Sequence, residues 1–405
     1  QPKHPHIVIV GGGFAGIAAI QTLKKSGVPC DITLITRDDK FQYYPALYKL
    51  VTGALAIEVS VPYKKIKGMD GVTIMQESFE SVDASRQIVT LKKGAEITYD
   101  YLVLALGSET NYFGISGLAE LSLSFKSVKE ALRLKRHFCT LFSSVKELPP
   151  KEAAAKLHTI IVGGGPSGVE LAGDLTHYLR GLAKDMELDP SLVTIDLIES
   201  APRILAALPE TVSKKAEKRL RSLGVNIYTN RAVTEQNIAE VSMGGMSVAS
   251  TTVIWTAGTR INSAYQTIPG VQMTDRKRVL VDEYLALPQD NHIFVVGDGA
   301  GTPFSGLAQT ADYDGKYIGR HIARIIRGKK PIPYRAKGVS FAIPVGNYWA
   351  LFSHNKILIG GSLPWVLRSV IDFHYFLSLV PFWYVLAVFR QGYKYRRSRT
   401  YCPVD

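Results

Sequence analysis

The stretch His6-Ile-Val-Ile-Val-Gly-Gly-Gly-Phe-Ala-Gly16 decides the fold, because it joins a short apolar run to a glycine-rich turn. It recurs as His158-Thr-Ile-Ile-Val-Gly-Gly-Gly-Pro-Ser-Gly168. Each copy predicts a buried strand, a tight turn and a helix, at about 14–26 and about 166–182, followed by a second strand at 31–36 and 193–198. This alternation predicts an α/β fold with two Rossmann-like dinucleotide-binding domains.

The glycines in each copy have the G-x-G-x-x-G spacing of a dinucleotide cradle. The first permits the tight turn, the second allows close approach of a diphosphate, and the third lets helix and strand pack closely. The helix N-terminus then offers free N–H groups to the phosphates. Plain strand–helix turns are the alternative. The residues predicted to form the two cradles are Gly11, Gly13, Phe14, Ala15 and Gly16, then Gly163, Gly165, Pro166, Ser167 and Gly168.

The ends of the second strands are predicted to contact riboses. Glu199 ends the strand of the second copy, where a carboxylate accepts hydrogen bonds from a ribose 2′-OH and repels a 2′-phosphate, which favours NADH over NADPH. Arg203 lies nearby and weakens this preference, and a solvated strand end is the alternative for Glu199. The first copy ends in Thr36 and Arg37, without the expected acid.

A third feature is Gly297-Asp298, which ends the apolar run that begins at Ile293. An Asp at this position is suited to binding a polyol hydroxyl. The alternative is a turn-forming Asp that caps the next segment.

Composition limits the partners and metal sites. The chain has 405 residues, a formal net charge of +13 and three cysteines, none within a Cys-x-x-Cys. These cysteines argue against a local redox disulfide, a disulfide framework and a zinc ribbon, and they favour a reducing compartment. We predict no metal site. The net positive charge predicts an anionic partner. A cluster of basic residues near the C-terminus, directly after an apolar segment, favours a membrane surface over nucleic acid.

The C-terminal region, residues 331–405, contains the candidate membrane anchor at about 363–399. Arg368, Asp372, His374 and Pro381 interrupt its aromatic and aliphatic stretch, which argues against a bilayer span. One or two amphipathic helices lying in the membrane interface are predicted instead, followed by a basic cluster. A helix docked on the core or on a dimer partner is the alternative. The cluster comprises Arg390, Lys394, Arg396, Arg397 and Arg399.

The two glycine motifs and Gly297-Asp298 together resemble the two-dinucleotide-binding-domain flavoproteins. The stretches ending at Ala105-Leu-Gly107 and Ala257-Gly258 resemble that family's two crossing strands. Within the family, the sequence resembles type II NADH dehydrogenases, single-subunit NADH:quinone oxidoreductases. Tyr44-Pro45 resembles their flavin-side loop.

This resemblance implies that the first cradle, with Asp298 at the ribityl chain, holds FAD and the second holds NADH. It implies a discontinuous FAD domain at 1–115 and 262–330, and an NAD(H) domain at 116–261. It further implies that a hydride passes from NADH to the flavin and that two electrons then pass to a quinone, without proton pumping. Glu170 is expected near the nicotinamide, with a helix-dipole role as the alternative.

The resemblance also assigns a quinone site, with one departure. Type II enzymes carry Ala-Gln-x-Ala-x-Gln, whereas this chain reads Ala308-Gln-Thr-Ala-Asp-Tyr313. Gln309 is expected to act at the flavin and quinone, with a packing role as the alternative. Tyr313 replaces the second Gln and can donate a hydrogen bond to a quinone carbonyl. Tyr44 and Pro45 are expected to complete the site.

The expected location is the cytoplasmic face of a cell membrane, or an organellar inner membrane in a eukaryote, with a homodimer as a further expectation. Two other functions fit the sequence. One is a flavin reductase with a soluble acceptor, and the other is a non-enzymatic, NADH-sensing binding protein.

Overall fold

The computed structural model describes residues 4–238, 240–354, 357–397 and 402. Over these residues the helices are α1 Phe14–Ser26, α2 Leu47–Val51, α3 Leu118–Leu121, α4 Val128–Ser144, α5 Pro150–Lys156, α6 Pro166–Asp185, α7 Glu210–Ser222, α8 Ala308–Ile326, α9 Ser362–Leu379 and α10 Phe382–Arg397. The strands are β1 His6–Val10, β2 Asp31–Thr36, β3 Lys40–Gln42, β4 Ser60–Pro62, β5 Val72–Gln76, β6 Phe79–Asp83, β7 Ile88–Leu91, β8 Glu96–Thr98, β9 Tyr101–Leu104, β10 Ser108–Thr110, β11 His158–Val162, β12 Thr194–Ile198, β13 Val225–Tyr228, β14 Val233–Gln236, β15 Glu240–Met243, β16 Met246–Ala249, β17 Thr252–Trp255, β18 Thr259–Ile261, β19 Ala286–Leu287, β20 Asp290–Val295, β21 Phe341–Pro344, β22 Ala350–His354 and β23 Ile357–Gly361.

The first glycine turn belongs to a six-stranded sheet in the order β19-β20-β9-β1-β2-β5. Its pairs are parallel except at the β19 edge. The central strands are apolar on both faces, and Ile7, Ile9 and Leu34 are fully buried. This is the pattern expected of parallel strands covered on both sides. Because β20 lies far along the chain from β1, the sheet is assembled from two separate stretches of sequence.

Helices α1 and α8 cover one face of this sheet in close contact. A β-carbon on Gly315 would lie 2.1 Å from the carbonyl oxygen of Ala15, and one on Gly319 would lie 2.7 Å from Thr22. Glycine at these two positions of α8 therefore lets the backbones approach each other.

The second glycine turn belongs to a four-stranded parallel sheet in the order β13-β12-β11-β17. The predicted helix and second strand of this copy are observed as α6 and β12, and each end lies within three residues of its predicted position. Two units of the same strand–turn–helix design thus confirm the predicted α/β class.

The C-terminal region forms the antiparallel sheet β21-β22-β23 followed by α9 and α10. The inner face of α9 buries Phe376 and Leu379. Its outer face leaves Leu363 and Val370 exposed, at 70% and 56%. Of the helices in the described part of the chain, none combines the length and apolar composition that a bilayer crossing requires. Of the predicted basic cluster, Arg399 lies outside the described residues.

Cys139 on α4 and Cys402 form a disulfide, and Cys30 remains free. This pairing departs from the expectation that the cysteines stay reduced. The two residues are separated by 263 positions, so no local spacing indicated the bond.

Candidate functional site

The two glycine turns share one geometry. Gly11 and Gly163 have φ angles of +114° and +112°, which side chains other than glycine rarely adopt. A β-carbon on Gly16 or Gly168 would lie 1.9 Å from the carbonyl oxygen of the first glycine of its own turn. The first and third glycines of each motif are therefore required by the fold.

The middle glycines, Gly13 and Gly165, face open space. A β-carbon at either position would meet no atom within 4 Å. Each precedes a helix of at least 13 residues, so free N–H groups and the positive end of the helix dipole point to the same space. These two positions fit a diphosphate group.

The first turn opens into a cleft of about 890 Å³. It extends from the first turn, past the crossing strand at Gly107, to the second unit, where Ser167 and Gly258 line it. The cleft therefore spans both dinucleotide units. Predicted site residues that line it are Gly11, Gly13, Phe14, Ala15, Thr36, Arg37, Tyr44, Ala105, Gly107, Ser167, Gly258, Gly297 and Asp298.

Asp298 lies in the cleft within a short 3₁₀ turn, Gly297–Gly299. Its carboxylate accepts a hydrogen bond from the Ser108 hydroxyl at 2.5 Å. The buried carboxylate of Asp314, on α8, accepts the Gly297 N–H at 3.0 Å and the Tyr334 hydroxyl at 2.8 Å. Burial raises the pKa of Asp314 to about 6, although both hydrogen bonds oppose the shift. Asp314 thus holds the turn that presents Asp298, a role that the sequence pattern did not indicate.

Glu199 lies beside the second glycine turn. Its carboxylate accepts the N–H of Gly164 and the N–H of Ala201, both at 2.7 Å. Arg203 donates to the carbonyl oxygens of Leu205 and Ala206 and to the Ser213 hydroxyl. Donors of the Arg203 guanidinium are therefore used within the protein, which weakens the argument for a 2′-phosphate ligand.

A buried ion cluster lies where the second unit, the 43–49 segment and α9 meet. Arg368 donates to the Asp372 carboxylate at 2.9 Å and to the Pro45 carbonyl oxygen at 2.8 Å. Its guanidinium lies 3.8 Å from the Glu170 carboxylate. Tyr43 and Lys49 also donate to Asp372, at 2.7 and 3.0 Å.

The pKa values of the three carboxyl groups in and beside this cluster are shifted in different directions. Burial raises the pKa of Glu170 to about 8, although Arg368 opposes the shift. Burial raises the pKa of Asp174, one helical turn further along α6, to about 6, with Lys49 opposing. Burial alone would raise the pKa of Asp372, but Lys49, Arg368 and the Tyr43 hydrogen bond hold it below its ordinary value. Of the three carboxyl groups, Glu170 thus has the pKa that burial raises furthest towards the protonated form.

A pocket of about 540 Å³ lies on the other side of the 43–48 segment. Tyr43, Ala46 and Tyr48 line this pocket, whereas Tyr44 and Leu47 line the cleft. One short segment is thus the wall between the two cavities. The rest of the pocket comes from α6, α9, α10 and neighbouring loops, including Tyr178, Trp365, Phe376, Tyr384 and Phe389.

Several predicted site residues line neither cavity. Gln309 is exposed at the start of α8, and the Tyr313 hydroxyl donates to the Arg335 carbonyl oxygen at 3.0 Å. Pro45 contributes its carbonyl oxygen to Arg368. The close backbone contacts within and behind the turns involve Gly16, Gly163, Gly168 and Ala257, while Gly165 is the N-cap of α6 and Pro166 its first residue. Gln309 and Tyr313 thus line neither cavity themselves, whereas Ala308 and Ala311 of the same helix line the cleft.

Comparison with known proteins assigns the family. Residues 5–315 match the pyridine nucleotide-disulphide oxidoreductase family, and the chain belongs to it. Described residues contain no group of three or more His, Cys, Asp or Glu side chains arranged to hold a metal ion.

Curated relatives are similar along nearly the whole chain. The type II NADH:quinone oxidoreductase Ndh of Mycobacterium tuberculosis is 28% identical over 93% of this chain and 85% of its own length. The demethylphylloquinone reductase NdbB of Synechocystis is 28% identical over 94% of this chain and 93% of its own length. The name of the first relative confirms the predicted resemblance to type II NADH dehydrogenases.

Solved structures agree with the fold. NDH2 of Plasmodium falciparum, in complex with NADH, superposes with a TM-score of 0.88 at 17% identity, covering 99% of this chain and 100% of its own. The sulfide:quinone oxidoreductase of Aquifex aeolicus superposes with a TM-score of 0.77 at 20% identity, covering 95% of this chain and 92% of its own.

Proposed function

We propose that this protein is a membrane-surface flavoenzyme that oxidises NADH and reduces a quinone without pumping protons. The observation that carries the proposal is the cleft that runs from the open first glycine turn to Ser167 beside the second. Two dinucleotides bound at these turns have a common space in which to meet. The relatives named as NADH:quinone oxidoreductases support the same activity.

The residues of the chain bind and orient the two cofactors. The first turn, with Gly13, is suited to the FAD diphosphate, and Asp298 to its ribityl hydroxyls. The second turn, with Gly165, is suited to the NADH diphosphate, and Glu199 to its ribose. Bound FAD would supply the two-electron chemistry that links nicotinamide to quinone.

We propose that the quinone binds in the pocket behind the 43–48 wall. Its aromatic lining suits a flat, apolar ring, and Phe389 of this lining is 40% exposed on α10. Quinone reduction consumes protons, and burial raises the pKa of Glu170, which lies next to Arg368 and close to the wall, so Glu170 is suited to supplying one. In this proposal the wall residue Tyr43 takes the place that the sequence assigned to Gln309 and Tyr313.

The outer faces of α9 and α10 are proposed to dock on the membrane. Trp383, Leu363 and Val370 are exposed at 76%, 70% and 56%, and further apolar side chains surround them. An apolar face of this kind, beside a basic chain end, is typical of helices that lie in the membrane interface. The cytoplasmic face, or an organellar inner membrane, and a homodimer remain predictions.

The activity is tested with purified protein. We expect a yellow flavin spectrum that NADH bleaches and a short-chain quinone restores. Bleaching without recovery by quinone would point to a soluble acceptor. Slow bleaching with a long-lived charge-transfer band would point to an NADH-sensing binding protein, and a colourless protein that cannot be reconstituted with FAD would contradict the proposal.

Replacing Glu199 with Gln is expected to lower the preference for NADH over NADPH by about tenfold, because a hydrogen bond to a charged group contributes about 1.5–3 kcal/mol. The ratio of kcat/KM for the two nucleotides measures this change. Glu210→Gln, an exposed acid at the start of α7, is the matched control and should leave the ratio unchanged. Equal ratios in wild type and Glu199→Gln would mean that another residue contacts the ribose.

A further inference from the structure

The side chain of Lys126 reaches the cleft from the second unit. Just before it, Leu123 pairs with β17: its N–H donates to the Val253 carbonyl oxygen at 2.8 Å, and its own carbonyl oxygen accepts the Trp255 N–H at 2.7 Å. The backbone leading to Lys126 is thus fixed to the second unit. Its ammonium nevertheless donates to the Ser108 hydroxyl of the first unit, at 3.0 Å.

The hydrogen bond between Lys126 and Ser108 is linked to Asp298, the aspartate predicted to bind the cofactor. Ser108 accepts from Lys126 and donates to the Asp298 carboxylate at 2.5 Å. All three side chains line the cleft. A chain of two hydrogen bonds therefore connects a cation of one unit with the aspartate that the family resemblance assigns to the ribityl chain.

The ammonium of Lys126 has no carboxylate partner at salt-bridge distance among the described residues. Glu109 pairs with Arg260 at 2.8 Å, and both oxygens of Glu130 accept hydrogen bonds from Ser124 and Ser127. An ammonium has three donors, and the Ser108 hydroxyl accepts from only one. The half-buried site thus contains a positive charge with remaining hydrogen-bonding capacity.

We propose that Lys126 supplies a half-buried positive charge that raises the reduction potential of the flavin in the cleft. Hydride transfer from NADH to a bound FAD would deliver two electrons and one proton, so the cofactor site would gain one negative charge as NAD⁺ leaves. A nearby ammonium stabilises this added charge, most strongly where water is excluded. The inference rests on the proposed function only for the presence of FAD.

The test is the equilibrium between bound flavin and a reference dye in Lys126→Met. We expect the equilibrium constant for flavin reduction to fall at least tenfold, which for a two-electron couple is about 30 mV. Lys126→Arg, which keeps the charge, should stay within threefold of wild type. Lys151→Met, an exposed position on α5 away from the cleft, should show no shift.

An unchanged potential in flavin-loaded Lys126→Met would overturn the proposal, and so would equal shifts in the Met and Arg variants. Because the potential is read from bound flavin without quinone, these outcomes are distinct from a failure of the quinone reductase activity. An apoprotein that binds no FAD at all would instead contradict the proposed function.

A second measurement uses the wild-type protein, in case Lys126→Met does not retain FAD. Burial lowers the pKa of Lys126 to about 8, while Asp298, Glu109 and Glu130 oppose the shift and Arg278 adds to it. Reduction should raise the affinity of Lys126 for its proton. We therefore expect proton uptake per two electrons to rise above one as the pH passes the pKa of Lys126. Uptake that stays at one up to pH 10 would overturn the proposal.

Discussion

Replacing Gly13 with Asp is expected to give a folded, colourless protein whose affinity for FAD is at least a hundredfold below that of wild type. A side chain at this position meets open space, so the fold tolerates it. Its carboxylate, however, lies in the space suited to the FAD diphosphate. Two like charges about 4 Å apart repel each other by about 4 kcal/mol at an effective dielectric constant of 20. Flavin absorbance after gel filtration and titration of the apoprotein with FAD measure the effect.

The same change at Gly165 separates the two sites. Gly165→Asp should remain yellow but lose reduction by NADH at least a hundredfold, because the charge now opposes the NADH diphosphate. Gly338→Asp is the control, since this exposed loop glycine also has open space at its β-carbon. Loss of flavin from Gly165→Asp, or its retention by Gly13→Asp, would contradict the assignment of FAD to the first turn.

The second large effect concerns the outer apolar face of α9 and α10. Val366, Val370 and Trp383 are exposed at 49%, 56% and 76%, and none lines the cleft or the pocket. Changing all three to Glu should lower binding to anionic lipid vesicles at least a hundredfold, because fully burying an apolar side chain contributes about 1.5–3 kcal/mol. Cosedimentation measures binding, and reduction of a soluble dye by NADH should stay within twofold.

A matched variant controls for the added negative charge. Ile238, Met246 and Met273 are also exposed and lie outside the C-terminal region. Changing these three to Glu should leave vesicle binding nearly intact. If both triple variants detach equally, general charge rather than the outer face of the C-terminal helices determines membrane binding.

The sequence predicted those features that are encoded locally. Each glycine turn is complete within eleven residues, and the strand, the positive φ angle and the helix all follow from that short stretch. The break at Pro381 likewise separates two C-terminal helices. In both cases the sequence pattern and the structure it produces lie within a short stretch of neighbouring residues.

No local sequence pattern predicted the ion cluster or the contact between Lys126 and Ser108. Tyr43, Glu170 and Arg368 lie in three separate parts of the chain. The resemblance placed Glu170 near the nicotinamide, but no local pattern connects it with Tyr43 or Arg368. The roles of Gln309 and Tyr313 at the quinone stay predictions. They came from resemblance to a motif, whereas the side chains around α8 determine where the two residues point, and the Tyr313 hydroxyl is used by the Arg335 carbonyl oxygen.

The double role of α9 has a practical consequence for handling this protein. The helix presents hydrocarbon outward, yet its inner residues Arg368 and Asp372 anchor the Pro45 backbone and Tyr43. Deleting the C-terminal region to obtain a detergent-free preparation would therefore also remove the hydrogen bonds that hold the 43–48 segment between the two cavities. Substitution of outward side chains, with the helix kept in place, is the sounder route to a water-soluble enzyme for crystallisation or inhibitor screening.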